Sequence, residues 1–151
     1  MYDQARIMDI LATPGTAAEA DVLERIYRCF GPPGAPGRSS TVCLEAACGT
    51  GRYLRVLAGR GWRVLGFDSS AAMIAYARDT LRRRGLSRRA HVFRARLADF
   101  SSFVTPGSVH LAFIPDNSLR HLGSDREGLA HFEGVARCLV PGGLYVVGLS
   151  A

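Results

Sequence analysis

The sequence contains no lysine; all 19 of its cationic side chains are arginine. Without a side-chain primary amine, Schiff-base chemistry is excluded. Metal-ligand spacing is missing too. Cys29, Cys43, Cys48 and Cys138 form no C-x-x-C pair and lie inside apolar patterns, so they are expected to be buried reduced thiols rather than a disulfide framework or a metal site. No apolar run approaches the roughly 18 residues of a membrane span, and the N-terminus has no basic segment followed by an apolar one. The expectation is a cytoplasmic protein with no metal and no membrane contact. Acidic residues are in short supply, 13 against 19 cations, for a net charge of +6. The arginines are scattered except for Arg82, Arg83, Arg84, Arg88 and Arg89. That cluster falls at a predicted helix end, where the helix dipole favours cations. A solvated helix terminus is therefore the reading, with a nucleic-acid patch as the alternative.

At 151 residues the chain suits one domain, and a chain of that size can bury about 70% of the surface its unfolded form exposes. Its organising stretch is Thr41 to Arg52, T-V-C-L-E-A-A-C-G-T-G-R. A short apolar run ends on Glu45, passes through Ala46 and Ala47, and turns on Gly49 and Gly51 into a helical pattern. Glycines in such a turn allow positive φ and a close ligand approach, and the helix N-terminus that follows presents unpaired N–H groups. A nucleotide-like ligand fits this geometry. A dinucleotide fingerprint, G-x-G-x-x-G, would need a third glycine where this chain has Leu54.

Ahead of this stretch, residues 1–14, given apolar character by Tyr2, Ile7, Met8, Ile10 and Leu11, read as a helix or lid segment. Thr16 to Glu19 reads as a capping box before a helix whose apolar face is Val22, Leu23, Ile26, Tyr27 and Phe30. The proline- and glycine-rich stretch from Gly31 to Ser40 reads as a loop. Beyond the turn, Leu54, Leu57 and Ala58 make a helix face that Gly59 and Gly61 stop. Trp62 to Phe67 is a second strand ending on Asp68. Ser69 and Ser70 cap a helix carrying Met73, Ile74, Ala77 and Leu81. Ala90 to Ala95 and Val109 to Ile114 are the third and fourth strands. Ser124 to Glu127 is a second capping box, before a helix face of Leu129, Phe132, Ala136 and Leu139. Pro141-Gly142-Gly143 turns into a last strand, Leu144 to Leu149. Strands alternating with helices through right-handed crossovers predict an α/β, Rossmann-like, doubly wound parallel sheet of order 3-2-1-4-5. It forms a single domain over 1–151, with a helical segment and loop (1–40) ahead of the core (41–151).

The turn closely resembles motif I of the class I S-adenosylmethionine-dependent methyltransferases, an acid-x-G-x-G-x-G pattern present here as Glu45, Ala47, Gly49 and Gly51. W-R-V-L-G-F-D-S-S-A-A-M-I resembles motif II, and V-A-R-C-L-V-P-G-G-L-Y-V-V-G-L resembles the helix, turn and fifth strand of the same family. The resemblance implies S-adenosylmethionine as cofactor. Glu45 would act through the methionine ammonium, Ala47, Gly49 and Gly51 through close backbone approach, and Asp68 with Ser69 at the ribose. After the third strand many relatives carry an acid or amide that accepts from the adenine amino group, where this chain has Arg96; Leu97 backbone and apolar contact would then hold the base. Asp99 and Phe100 read as a turn cap and a packed ring. N-S-L-R-H-L resembles the segment after the fourth strand in glycine N-methyltransferase-like enzymes, which carries over Ser118 as a cofactor contact and Asn117 and His121 as catalytic candidates. The D-P-P-Y-type motif of enzymes that methylate nucleic-acid amino groups is absent, so nucleic acid is an unlikely substrate. The expected activity is methyl transfer to a small-molecule nitrogen or oxygen. The alternatives are a non-catalytic cofactor-binding fragment or partner subunit and, less favoured, an NAD-dependent oxidoreductase. The family's usual last two strands are missing, which would leave the fifth as an apolar edge. A truncated chain or a homodimer through that edge is the expectation.

Overall fold

The computed structural model describes residues 2–148. Two helices, α1 (Tyr2–Ala12) and α2 (Thr16–Phe30), precede the sheet. The core then alternates as β1 (Val42–Ala46), α3 (Arg52–Gly59), β2 (Arg63–Asp68), α4 (Ala71–Arg83), β3 (Ala90–Arg94), β4 (Val109–Ile114), α5 (Asp125–Cys138) and β5 (Leu139–Val147). Every strand pairing is parallel and the order is β3-β2-β1-β4-β5, as the alternation predicted. The strand order reverses between β1 and β4, which opens a crevice at their carboxyl ends where α/β sheets bind ligands.

The three inner strands are buried on both faces, so their alternate residues serve opposite layers. Cys43, Val64, Leu111 and Phe113 pack with Leu23, Tyr27, Leu54 and Leu57 on the side of α2, α3 and α4. Leu44, Ala112 and Ile114 pack with Phe67, Phe100, Val135 and Cys138 on the side of α5. There Phe67 and Phe100 stack nearly parallel at 4.5 Å. Phe100 is thus a packed ring, and the Asp99 carboxylate accepts the Arg96 N–H (3.0 Å), capping the turn as expected.

Several local expectations give way to tertiary demands. The Thr16–Glu19 capping box does not form. α2 is preceded by Gly15 in the left-handed conformation with no side-chain cap, and Thr16 Oγ1 donates to the Thr13 carbonyl (2.7 Å). Glu19 is instead claimed by Arg52 and Tyr53 across the helix pair. The buried stripe of α2 is Ala20, Leu23, Glu24 and Tyr27, whereas Val22 and Phe30 are exposed. Glu24 earns its place by accepting from Trp62 Nε1 (2.8 Å) and Arg38 (2.9 Å). On α5 the buried stripe is His131, Gly134, Val135 and Cys138, and Leu129 and Phe132 are exposed. Gly134 is needed there because a Cβ would sit 3.2 Å from Ser101 and 3.3 Å from Phe100. The second capping box does cap its helix, with Ser124 Oγ accepting the Glu127 N–H (3.2 Å).

The fifth strand begins earlier than expected. Leu139 pairs with Val109 and Leu144 with Leu111, so Pro141-Gly142-Gly143 forms a bulge inside the strand rather than a turn before it. Leu149, expected in this strand, lies outside the described residues. Cys43, Cys48 and Cys138 are buried free thiols, but Cys29 is exposed. Among the described residues no helix is long and apolar enough to cross a membrane.

The missing third glycine of a dinucleotide fingerprint finds its explanation in β2. Leu54, fully buried, takes up space left by Gly66, where an added Cβ would fall 2.6 Å from Leu54 Cδ1 and 3.1 Å from Cys48 Cβ. The close approach of α3 to the sheet is therefore made by a glycine on the neighbouring strand. Gly66→Ala is expected to overpack this contact and lower unfolding free energy by about 1–3 kcal/mol, read as a reduced midpoint in urea denaturation.

Candidate cofactor site

The turn after β1 carries three residues with left-handed backbone: Ala47 (φ 54°), Gly49 (φ 53°) and Gly51 (φ 78°). Only Ala47 is strained by this, since its Cβ meets the following carbonyl at a cost of about 1–2 kcal/mol. A Cβ on Gly49 would meet no atom within 4 Å, so this glycine borders open space, whereas one on Gly51 would press on Ala77 at 3.3 Å. Gly51 thus serves packing and the start of α3; Gly49 faces the cleft.

Asp68 at the end of β2 holds the turn in place. Its Oδ2 accepts the Gly49 N–H (2.9 Å) and its Oδ1 accepts the Ser70 N–H (2.8 Å), tying the glycine turn to the start of α4. A carboxylate has about four lone-pair sites, so after these two backbone bonds each oxygen still has room for a donor from the cleft.

The cleft has two lobes that meet at Ala47, Gly49 and Ser118. The outer lobe, about 630 Å³, is lined by Asp68, Ser69, Arg96, Leu97, His121 and Glu127 among others. The inner lobe, about 130 Å³, is lined by Glu45, Arg52, Asp116 and Met73. Glu45 is 2% exposed, and its Oε2 is buried with no hydrogen-bond partner. Burial pushes its carboxyl well above the usual range; Arg52 and Arg55 oppose the shift and Asp116 and Asp68 add to it. A cationic ligand group entering the inner lobe would relieve that cost.

Sequence reasoning missed Arg52, although it directly follows the glycine turn. Its Nη1 donates to Glu19 (2.7 Å) and Thr16 Oγ1 (3.0 Å), and its Nη2 donates to Asp116 (2.6 Å) and Tyr53 Oη (3.2 Å). One guanidinium thus joins α2, α3 and the segment after β4. A parallel clamp fixes α1. Asp9 accepts from Arg55 (2.5 Å), Thr50 (2.8 Å) and Tyr76 (3.1 Å). This holds Met8 where it lines both lobes. The side chain of Tyr2 lies outside what the structure describes.

Of the residues singled out in the sequence, Ala47, Gly49, Asp68, Ser69, Leu97, Ser118 and His121 line the outer lobe, and Glu45 with Ala47, Gly49 and Ser118 the inner. Asn117 stands outside both linings; it is left-handed (φ 58°), as is Asp116, and its N–H donates to the Gly148 carbonyl (3.1 Å). The Leu97 carbonyl already carries one hydrogen bond from within the protein. It accepts from His131 Nδ1 (2.8 Å), whose Nε2 accepts from the Tyr145 hydroxyl (2.7 Å). His131 is fully buried, and nothing in its sequence context distinguished it from a surface histidine.

An open parallel sheet with a glycine turn, an acid at each of two adjacent strand ends and a cleft across the switch point defines a nucleotide-cofactor-binding α/β domain. Residues 43–143 match the family model described as a methyltransferase domain, and the chain belongs to that family. No curated protein sequence matches the chain. Among solved structures it is similar to a Methanococcus maripaludis protein assigned as an S-adenosyl-L-methionine-dependent methyltransferase. The TM-score is 0.76 at 18% identity, over 97% of this chain and 63% of that one. It is also similar to Streptomyces venezuelae DesVI, with a TM-score of 0.75 and 23% identity over 97% and 56% of the two chains. For geranyl diphosphate C-methyltransferase of Streptomyces coelicolor A3(2) the values are 0.70, 21%, 87% and 44%. The chain thus spans from 44% to 63% of the length of these structures.

The residues present fit an adenosylated amino acid. Glu45 offers an orphaned buried oxygen to an ammonium, Asp68 offers two oxygens to vicinal hydroxyls, and Gly49 leaves the backbone bare between them. Arg52→Met should cost about 2 kcal/mol of stability in urea denaturation. That is less than the 3–5 kcal/mol typical of a fully buried pair, because Glu19 and Asp116 are 48% and 66% exposed and can rehydrate.

Proposed function

We propose that this chain binds S-adenosyl-L-methionine and supports transfer of its methyl group to a small-molecule nitrogen or oxygen. The observation that carries the reading is the pairing of the orphaned Glu45 oxygen in the inner lobe with the Asp68 carboxylate at the lip of the outer one, on either side of Gly49. When bound, the cofactor supplies a methyl group already activated by its sulfonium centre. The chain's own task is then alignment and exclusion of water. Glu45 holds the ammonium, Asp68 with Ser69 the sugar, and Ser118 lies where the lobes join. The clamped α1 covers the cleft through Met8. His121, the histidine that lines the cleft, is the proposed base for acceptors that arrive protonated. The small-molecule assignment rests on the N-S-L-R-H-L segment after β4 and on the absence of a D-P-P-Y motif. Three buried free thiols suit a reducing compartment such as the cytoplasm.

A second reading, cofactor binding without catalysis, draws on the inner lobe, whose titratable lining is Glu45, Cys48, Arg52 and Asp116 with no histidine. A methyl-transfer assay across amine and hydroxyl acceptors separates the two.

Titration calorimetry tests the site. Asp68→Ala, verified as folded by its melting curve, should bind S-adenosylhomocysteine at least tenfold more weakly. Its charged hydrogen bonds to the ligand are worth about 1.5–3 kcal/mol each, and about 1.4 kcal/mol is tenfold. Unchanged affinity would remove Asp68 from the site.

Glu45 adds a pH signature. Burial raises its pKa in the free domain, whereas a bound ammonium favours the carboxylate and lowers it. Binding should therefore release a proton, and affinity should climb with pH from the ordinary carboxylate range up to the raised value of the free domain. Calorimetry in buffers of different ionisation enthalpy reads the proton directly. Glu45→Gln should show none, and equal release by both proteins would contradict the assignment.

A further inference from the structure

The outer lobe poses a problem of recognition. At the position after β3 where an acid or amide would accept from an adenine amino group stands Arg96, and arginine has only donors. The structure supplies an acceptor from elsewhere. Glu127, in the first turn of α5, lines the same lobe as Ala95, Arg96, Leu97 and Leu122. Its Oε1 accepts from Arg96 Nη2 (2.6 Å) and its Oε2 from the Gly123 N–H (2.7 Å). The Arg96 backbone is pinned in turn by Asp99 (3.0 Å). Among the described residues the only other acid lining this lobe is Asp68, whose oxygens accept from the Gly49 and Ser70 N–H groups.

The ion pair is partly open, with side-chain exposures of 63% for Arg96 and 32% for Glu127. Exposed pairs of this kind add little to folding, so stability alone does not account for its place on the cleft wall. What the pair offers a ligand is a fixed acceptor beside a fixed donor. A 6-aminopurine presents the complement, an exocyclic N–H donor beside a ring-nitrogen acceptor. A 6-oxopurine presents the reverse, an oxygen acceptor beside a ring N–H. The carboxylate keeps unused lone pairs after its two bonds, and the guanidinium keeps further N–H groups beyond the one it gives to Glu127.

We propose that the Arg96–Glu127 pair is the base-reading element of this cleft, in which Glu127 accepts from the exocyclic amino group and Arg96 donates to the neighbouring ring nitrogen. Selectivity for a 6-amino base is thus carried by an acid from α5, turned toward the cleft by an arginine standing where an acid is expected. The assignment rests on the cofactor reading above.

The test is calorimetric binding of S-adenosylhomocysteine and of its deaminated analogue S-inosylhomocysteine to the wild-type chain, Glu127→Gln and Arg96→Gln, each checked for folding by thermal melting. The wild type should prefer the amino form by at least about tenfold, in line with a two-point hydrogen-bond match to a base edge. Glu127→Gln, whose amide donates as well as accepts, should reduce that preference to about threefold or less. Arg96→Gln should lower affinity for the amino form several-fold and shrink the preference. Should Glu127→Gln fail to fold, Arg96→Gln decides alone, since it leaves the Ser124 and Gly123 contacts of α5 in place. A wild type with no preference between the two ligands overturns the proposal, and so do folded variants that keep the wild-type ratio. No binding of S-adenosylhomocysteine to the folded wild type overturns the cofactor reading, and this assignment with it.

Discussion

The structure depends most on one hydrogen bond, from the Gly49 N–H to the Asp68 carboxylate (2.9 Å). It closes a turn in which the chain takes left-handed backbone at Ala47, Gly49 and Gly51, and it does so across the two central strands. Because β1 and β2 are parallel and in register from Val42 with Arg63 to Ala46 with Phe67, their carboxyl ends finish level. An acid at one strand end can therefore reach the backbone emerging from the other. Gly66 lets α3 settle close enough for the turn to be this tight, since Leu54 occupies the volume its missing Cβ leaves. The geometry of the cleft follows from these constraints.

Charge is placed on this frame so that two buried arginines hold the scaffold together. Arg52 and Arg55 are both nearly buried and are spent on carboxylates of neighbouring elements, Glu19 and Asp116 for the first and Asp9 for the second. Burial of an arginine is tolerable only with such full hydrogen bonding. Glu45 is the exception: it lies deeper than any of these acids, and its Oε2 has no partner. A buried polar atom left without a partner carries a desolvation cost that a ligand can repay. The arginine-only composition suits this scaffold, because a planar fork with five donors can bind three elements at once where an ammonium would present a single point.

Much of the architecture was legible before any coordinates. The alternation of strand and helix, the order 3-2-1-4-5, the positive-φ turn and the acids at the ends of the first two strands all follow from local pattern, because short strands joined by crossovers admit few topologies. The helix faces were less legible. On α5 the apolar residues Leu129 and Phe132 point outward while His131 and Gly134 point inward. A hydrophobic period records where apolar side chains recur, not which neighbour they must fit, and here close contact with Phe100 and Ser101 selects a glycine and a bonded histidine. The same reason moved Glu19 from a helix cap into the Arg52 cluster. Pro141-Gly142-Gly143 became a bulge because the last helix runs directly into a strand already registered on β4.

By itself the sequence determined the fold class, the glycine turn and the identities of Glu45 and Asp68 as its flanking acids. These are set by backbone conformation and by residues close in the chain. Only the tertiary structure decided that Glu45 is buried with an unpartnered oxygen, that Arg52 ties three elements together, and that Glu127 lines the same lobe as Arg96. Such pairings join residues tens of positions apart, and a side chain's partner across that distance depends on packing that no local pattern encodes.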